Sequence, residues 1–331
     1  MTRLLRVELT RLRWRRAVLL LLAMTVVLPT VVFGAIVWNT RPVSAAEQER
    51  VEQLVRTEAE SPQMQRELER CVAKPRRYGL DGSADVRTAC EAMVMPQVEW
   101  YTNRPALDVD SQRRESGLAV VVILTMLLVL IGTTFVGHDW NSGSMSNQLL
   151  FEPRRARVWA AKGAVVLLIG LVVAGLVLAA YWTGLWWVAD HRGLEIADGT
   201  MREAYQQALR GALLAAFAGL GGYALTMLFR STVATLGVLF AVAIAGPLLI
   251  TMLGFPGHQR LMPQNNVAAV LFEGVRFTDY SRSDCFSDDG RGPADRCVVE
   301  ISTAGGSGYF GGLLLLAGVP SLLSFRRRDV P

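Results

Sequence analysis

Residues 136–162, VGHDWNSGSMSNQLLFEPRRARVWAAK, interrupt two long apolar runs with a polar segment that carries a glycine near its middle and a proline ahead of three closely spaced arginines. The break separates two helices, not two halves of one. A bilayer-spanning helix takes about 20 apolar residues, and each flanking run, 117–137 and 163–188, is long enough by itself. Working outward, four further runs qualify: 17–38, 211–229, 232–254 and 303–325. None of the six contains Lys, Arg, Asp, Glu or His. Of the 331 residues 51% are hydrophobic and only 19% charged, and the mean hydropathy is +0.30. That composition is too apolar for an ordinary soluble domain.

The basic residues orient the spans, because Lys and Arg are retained on the cytoplasmic side. With the N-terminus inside, the cytoplasmic pieces are 1–16, 138–162, 230–231 and 326–331, which hold 14 Lys or Arg against four acids, Glu8, Asp139, Glu152 and Asp329. The remainder of the chain holds 20 bases against 25 acids. The bias is +10 inside and −5 outside, and six crossings return the C-terminus to the cytoplasm. Basic residues at a membrane face are this topological signal plus attraction to anionic lipid, so nucleic acid is excluded as a partner. The first apolar run is longer than a signal-peptide core, which favours an uncleaved helix over a removed leader. In MTRLLRVELTRLRWRR, Leu4, Leu5, Leu9 and Leu12 recur at helical spacing among arginines. Residues 1–16 therefore read as an amphipathic helix lying in the interface, with a plain extension of the first span as the alternative.

Cysteine placement agrees with this orientation. Cys71 and Cys90 fall in the first external piece, Cys285 and Cys297 in the last, on the side where disulfides are permitted. Four cysteines allow three pairings; Cys71 with Cys90 and Cys285 with Cys297 is the simplest. No CxxC occurs and the three histidines are scattered, which disfavours a zinc site. Residues 39–115 are long enough to fold alone and read as a small helical subdomain, with Ser61 capping a helix that begins at Pro62. Thr200 and Glu203 match a capping box at the entry to the fourth span. Trp182, Trp186 and Trp187 stand where an aromatic belt belongs, and residues 255–302, rich in Gly, Pro, Asn, Asp and Ser, read as an irregular loop held by its cysteines. Small residues four apart, Ala215 with Gly219, Ala218 with Gly222, Ala241 with Ala245 and Gly308 with Gly312, allow close helix approach, either within the chain or at a seam or pathway. The fold class expected is an all-α integral membrane protein with six transmembrane helices, an N-terminal interface helix and a small, mainly helical extracytoplasmic subdomain.

Two sources of power are missing from the sequence. An ion-driven transporter needs an ionisable relay inside the membrane, and a self-powered ATPase needs a phosphate-binding GxxxxGK[ST] loop; the chain has neither. His138, Asp139 and Ser144 lie within seven residues on one turn, unlike catalytic triads, which are assembled from distant parts of a fold. The chain is not expected to be an enzyme.

With the topology in place, 138–162 is the first cytoplasmic loop, and here the residues resemble the membrane-spanning permease subunits of ABC-2 type ATP-binding-cassette transporters. That pattern runs from an acidic residue ending the second span through a Gly-Ser/Thr pair and a short apolar helix to Pro, Arg and a Lys opening the third span. Asp139, Gly143 with Ser144, Leu149, Leu150 and Phe151, Pro153, Arg154 with Arg155 and Arg157, and Lys162 fill those places. Asp139 departs from the Glu more usual there. The basic N-terminus and the terminal FRRRDV also look like this family. The likeness covers the six-span plan; the external loops carry none of it.

The resemblance implies a permease of the bacterial cell membrane with both termini cytoplasmic, paired with a second permease copy, homo- or heterodimeric, and with a cytoplasmic ABC ATPase subunit. ATP and Mg would be bound by that ATPase and no cofactor by this chain. The loop would be a coupling helix: Leu149, Leu150 and Phe151 supply a contact to the ATPase, Asn141 or Ser142 caps the helix, Pro153 stops it, and Asp139, Gly143, Ser144, Arg155 and Lys162 complete the coupling set. Export is the activity expected, with a lipophilic or amphipathic cargo since no span carries a charge. A membrane-anchored extracytoplasmic binding or sensing protein without transport activity is the alternative.

Overall fold

The computed structural model describes residues 2–80, 85–102, 104–255, 257–278 and 298–328. In chain order the helices are α1 (Thr2–Arg13), α2 (Arg16–Asn39), α3 (Ala45–Ala59), α4 (Pro62–Ala73), α5 (Val86–Val94), α6 (Val98–Tyr101), α7 (Val109–Arg114), α8 (Ser116–Asn141), α9 (Ser144–Phe151), α10 (Arg155–His191), α11 (Thr200–Phe229), α12 (Thr232–Leu253), α13 (Pro263–Leu271) and α14 (Thr303–Arg327). A short antiparallel ladder, β1 (Val275–Thr278) with β2 (Val298–Ile301), pairs Val275 with Ile301. This ladder and α13 correct the expectation of an irregular loop over 255–302. The β-branched residues of both strands favour pairing over coil. Cys285 and Cys297 lie outside the described residues.

Six helices, α2, the α7–α8 stretch, α10, α11, α12 and α14, are long and apolar enough to cross a membrane, so the chain is a multi-pass membrane protein. Several outrun their apolar cores. α10 covers 37 residues, about 55 Å at 1.5 Å per residue, against a hydrocarbon layer of about 30 Å. Its first two turns therefore belong to the polar segment, and Lys162 lies inside a helix and not ahead of one.

Residues 1–33 with 108–331 form one compact unit and 34–107 another. The core of the first is the crossing of α8 and α11. A Cβ on Gly132 would stand 2.1 Å from the Gly219 carbonyl oxygen, and one on Gly222 2.8 Å from that of Val129. Two of the small-residue pairs, Ala215 with Gly219 and Ala218 with Gly222, thus serve packing within the chain. Ala241, Ala245, Gly308 and Gly312 are exposed. Trp182 is buried and edge-on to Tyr181 at 5.2 Å, which corrects its place in an aromatic belt; Trp186 and Trp187 are exposed. Thr200 does not cap α11 either. Gly199 holds that position with φ 89°, and the Glu203 carboxylate bonds Arg113 in place of a backbone amide.

The 34–107 unit contains α3 to α6. Ser44, Ser61 and Asp85 cap α3, α4 and α5 with side-chain oxygens, and Cys71 is disulfide-bonded to Cys90. Leu68 and the two cysteines are its buried cluster, packed by Tyr78, Leu80, Val86, Val94 and Met95.

Candidate functional site

α1, α9, the first turns of α10 and the last turn of α14 gather at one end of the first unit. Arg155 at the start of α10 donates to the carbonyls of Phe325, at 3.4 Å, and Arg328, at 2.5 Å, and α1 lies along α10. α1 and the last turn of α14 therefore lie at the same end of this unit.

The α8–α9 corner is set by backbone chemistry. The left-handed conformation of Gly143, φ 68°, turns the chain where a Cβ would be strained. α9 then starts at Ser144 without a side-chain cap, which corrects the capping role assigned to Asn141 or Ser142. Asn141 is still part of α8, and the Ser142 hydroxyl donates to the His138 carbonyl at 2.8 Å. α9 ends at Phe151, and Pro153, in the break before α10, has no N–H with which to carry it on.

α9 has two faces. Met145 and Gln148, one turn apart, are buried; Leu149 is half-buried; Leu150 and Phe151 are 80% and 90% exposed. Beneath the buried face lies a charge cluster. Lys162 Nζ donates to Glu8 Oε2 at 2.7 Å and to Asp139 Oδ2 at 2.6 Å, and all three side chains are fully buried. Gln148 Nε2 donates to Glu8 Oε1 at 2.6 Å and Ser144 Oγ to Asp139 Oδ1 at 2.6 Å. Arg15 bonds both Asp139 and the Phe135 carbonyl, while Arg11 donates to Gln148 Oε1 at 2.9 Å. Every carboxylate oxygen has a donor, and Lys162 and Arg15 balance Glu8 and Asp139. A buried ion cluster is tolerated only when it is satisfied in this way.

The candidate residues thus separate into two groups. Leu150 and Phe151 form a bare apolar tip, and Leu149 borders it. Asp139 and Lys162 are buried and Ser144 half-buried, supporting that tip without being part of its surface; Gly143 and Pro153 bound the helix, and Arg155 ties the start of α10 to the end of α14. Glu8, Arg15, Arg11 and Gln148 are the partners that sequence reasoning missed. One signal was available: Glu8 is the sole acid among residues 1–16 and shares a helix face with Leu5 and Leu12, and an acid on an apolar face needs a buried cation. Among the described residues no group of three His, Cys, Asp or Glu is placed to hold a metal ion. No family model, curated protein or solved structure matches the chain.

Proposed function

We propose that the chain is the membrane-spanning subunit of an ATP-driven exporter of the ABC-2 type, working with a separate cytoplasmic ATPase that docks on α9. The observation that carries this reading is the construction of α9: a short helix with an uncovered Leu150–Phe151 tip mounted on a buried ion cluster that joins it to α1, α8 and α10. An apolar tip on a rigid base suits a part that must accept force from a partner and deliver it to the spans. The bare faces of α12 and α14 leave room for a second permease copy, and the uncharged spans suit a lipophilic or amphipathic cargo.

The test is purification of the chain from its native membrane in mild detergent, followed by ATPase measurement. A co-purifying ATPase is expected. Leu150→Ala with Phe151→Ala should lower its activity or retention about 30-fold, the loss of an interface hot spot of about 2 kcal/mol, with the melting temperature of the chain unchanged. If no ATPase accompanies the protein, or if hydrolysis ignores both substitutions, the exporter reading fails.

A further inference from the structure

Beside the ion cluster, where α1 turns into α2, lies a cavity of about 660 Å³ bounded by α1, the start of α2 and the end of α8. We infer that it is a binding site for a phosphate-bearing anion, and that the headgroup of an anionic phospholipid is its occupant. The lining has one sign of charge: Arg11, Arg15 and Arg16 face it, with no carboxylate among the lining residues. Thr134 completes the wall together with Thr10, Ser142 and Ser144, whose hydroxyl protons are already given to the Arg6 carbonyl, the His138 carbonyl and Asp139. The donors available here are the guanidinium groups, which recognise phosphate with a planar fork that takes two oxygens at once. Arg11 and Arg15 have been described as partners of Gln148 and Asp139, but each guanidinium carries five N–H donors and these contacts leave some for a ligand.

The charge balance points the same way. In the corner formed by the cluster and the cavity, Lys162, Arg11, Arg15 and Arg16 stand against Glu8 and Asp139. Among the described residues no further carboxylate is paired with these four cations, which leaves a formal excess of +2, and Arg15 is largely shielded from water, with its side chain 13% exposed. A monoanionic or dianionic phosphate offsets that excess where it lies. The size is that of a ligand pocket, about 300–1,000 Å³. A neighbouring cavity of about 410 Å³ shares Thr134, His138 and Ser142 and reaches Thr232, so the hollow continues past the end of α8.

The surroundings favour a lipid over a free ion. Trp14, at the wall, is 80% exposed, and Leu19 and Leu20 on the adjoining turn of α2 are exposed apolar groups. Tryptophan at a headgroup level beside an apolar helix face is the setting of a lipid's glycerol and first methylenes. The occupant would contact Arg11 and Arg15, which hold Gln148 and Asp139. Its binding is therefore linked to the α8–α9 corner, and by reciprocity a movement of that corner changes its affinity. This inference stands on the cavity itself and does not require that the chain export anything.

The experiment is titration of the full chain, in neutral maltoside detergent, with phosphatidylglycerol and separately with phosphatidylcholine, read as bound lipid by native mass spectrometry. Three variants separate a built site from diffuse attraction. Arg16→Gln removes a lining charge outside the ion cluster; Ala17→Trp fills the cavity from its exposed wall at constant net charge; Arg13→Gln removes an exposed α1 charge outside the lining. Arg16→Gln and Ala17→Trp should each weaken phosphatidylglycerol at least about tenfold, as for loss of a charge-assisted hydrogen bond. Arg13→Gln should change it less than either, and phosphatidylcholine should bind more weakly throughout. If Arg13→Gln and Arg16→Gln act alike and Ala17→Trp does nothing, the inference is overturned, and a failure of Ala17→Trp to fold leaves the comparison of the two arginines decisive. Millimolar inorganic phosphate gives the last arm. Arg16-dependent displacement of the lipid identifies a soluble phosphate as an occupant of the same chemistry, and no displacement identifies the lipid.

Discussion

The seam between α8 and α11 and the interior of the 34–107 unit solve the same problem, holding helices together, by opposite means. The seam uses absence: Gly132, Gly211, Gly219 and Gly222 remove side chains so that backbones approach, with Gly219 against the Leu128 carbonyl at a Cβ distance of 3.0 Å. The 34–107 helices are polar and bury little, so they rely on attachments: three side-chain caps, a disulfide, and the ion pair of Arg104 with Glu47 at 2.7 Å. The difference follows from the solvent each is built for. Between apolar helices in lipid no hydrophobic force favours one neighbour over a lipid tail, and close packing has to supply the attraction. In water a unit too small for a large core needs covalent staples.

The seam is the easier of the two to destroy. Gly132→Ala places a methyl group 2.1 Å from a backbone oxygen, and only separation of the helices relieves it. We expect a loss above about 4 kcal/mol, the range of severe overpacking, seen as failure to recover a monodisperse folded protein in detergent. Gly308→Ala on α14, where a Cβ meets nothing within 4 Å, should leave the melting temperature unchanged or raise it, since alanine is the better helix former by about 1 kcal/mol. Equal effects at the two positions would show that the seam is not what holds the unit together.

Next in size is Lys162→Met, which leaves the buried Glu8 with only the more distant Arg11, at 3.7 Å, and Asp139 with Arg15 alone. Stranding a buried charge costs about 3–5 kcal/mol, so a large drop in melting temperature is expected. Adding Glu8→Gln should recover a good part of it, because the two sites form one network and their effects are not additive. A double variant no better than Lys162→Met alone would place the importance of the cluster with Asp139 and Arg15. In the other region, Cys71→Ser with Cys90→Ser opens a closure of 19 residues, worth about 3 kcal/mol in chain entropy. It should raise the protease sensitivity of 34–107 while the seam keeps its hydrogen-exchange protection.

Apolar length made the six spans legible, and α12 and α14 begin within a residue of the runs read from sequence. What length cannot convey is which helix has neighbours. In the most apolar window of α8 56% of residues are buried, against 6% in α12, although both are uninterrupted apolar runs. Burial follows from partners, and a single sequence displays those only through small residues, which occur on exposed α12 and α14 as well. At the candidate site the loop, Gly143 and Pro153 were legible from local conformational chemistry. The Lys162–Glu8 pair spans 154 residues and leaves no local trace beyond one acid on an apolar helix face. The caps divide in the same way: Ser61 ahead of Pro62 acts as read, but Glu203 is drawn away by Arg113, a partner 90 residues distant.

The finest distinction between the two regions is in their response to pH. Within the 34–107 unit Tyr78 donates to Glu67 Oε1 at 2.7 Å. That bond, with the charges of Arg70 and Arg77, holds the Glu67 carboxyl below its ordinary range, while the bonded phenol of Tyr78 is raised. The signs are opposite and bracket neutrality. A carboxylate whose pKa is lower folded than unfolded adds stability above its unfolded pKa, lost as pH falls through the folded one. A phenol raised on folding adds stability that is complete below its unfolded pKa and lost as pH rises through the folded one. Tyr78→Phe removes the phenol and the largest contribution to the lowering at Glu67 while the two arginines remain, so Glu67 should titrate closer to an ordinary glutamate and acid loosening of this unit should begin at higher pH. Both groups are exposed enough for solvent to screen them, so the change should be small, resolvable as a shifted carboxyl titration by NMR with the protection of the seam unaltered. If the Glu67 titration does not move, the arginines alone set its charge, and the helices of this unit depend on the disulfide and the caps with no contribution from the tyrosine.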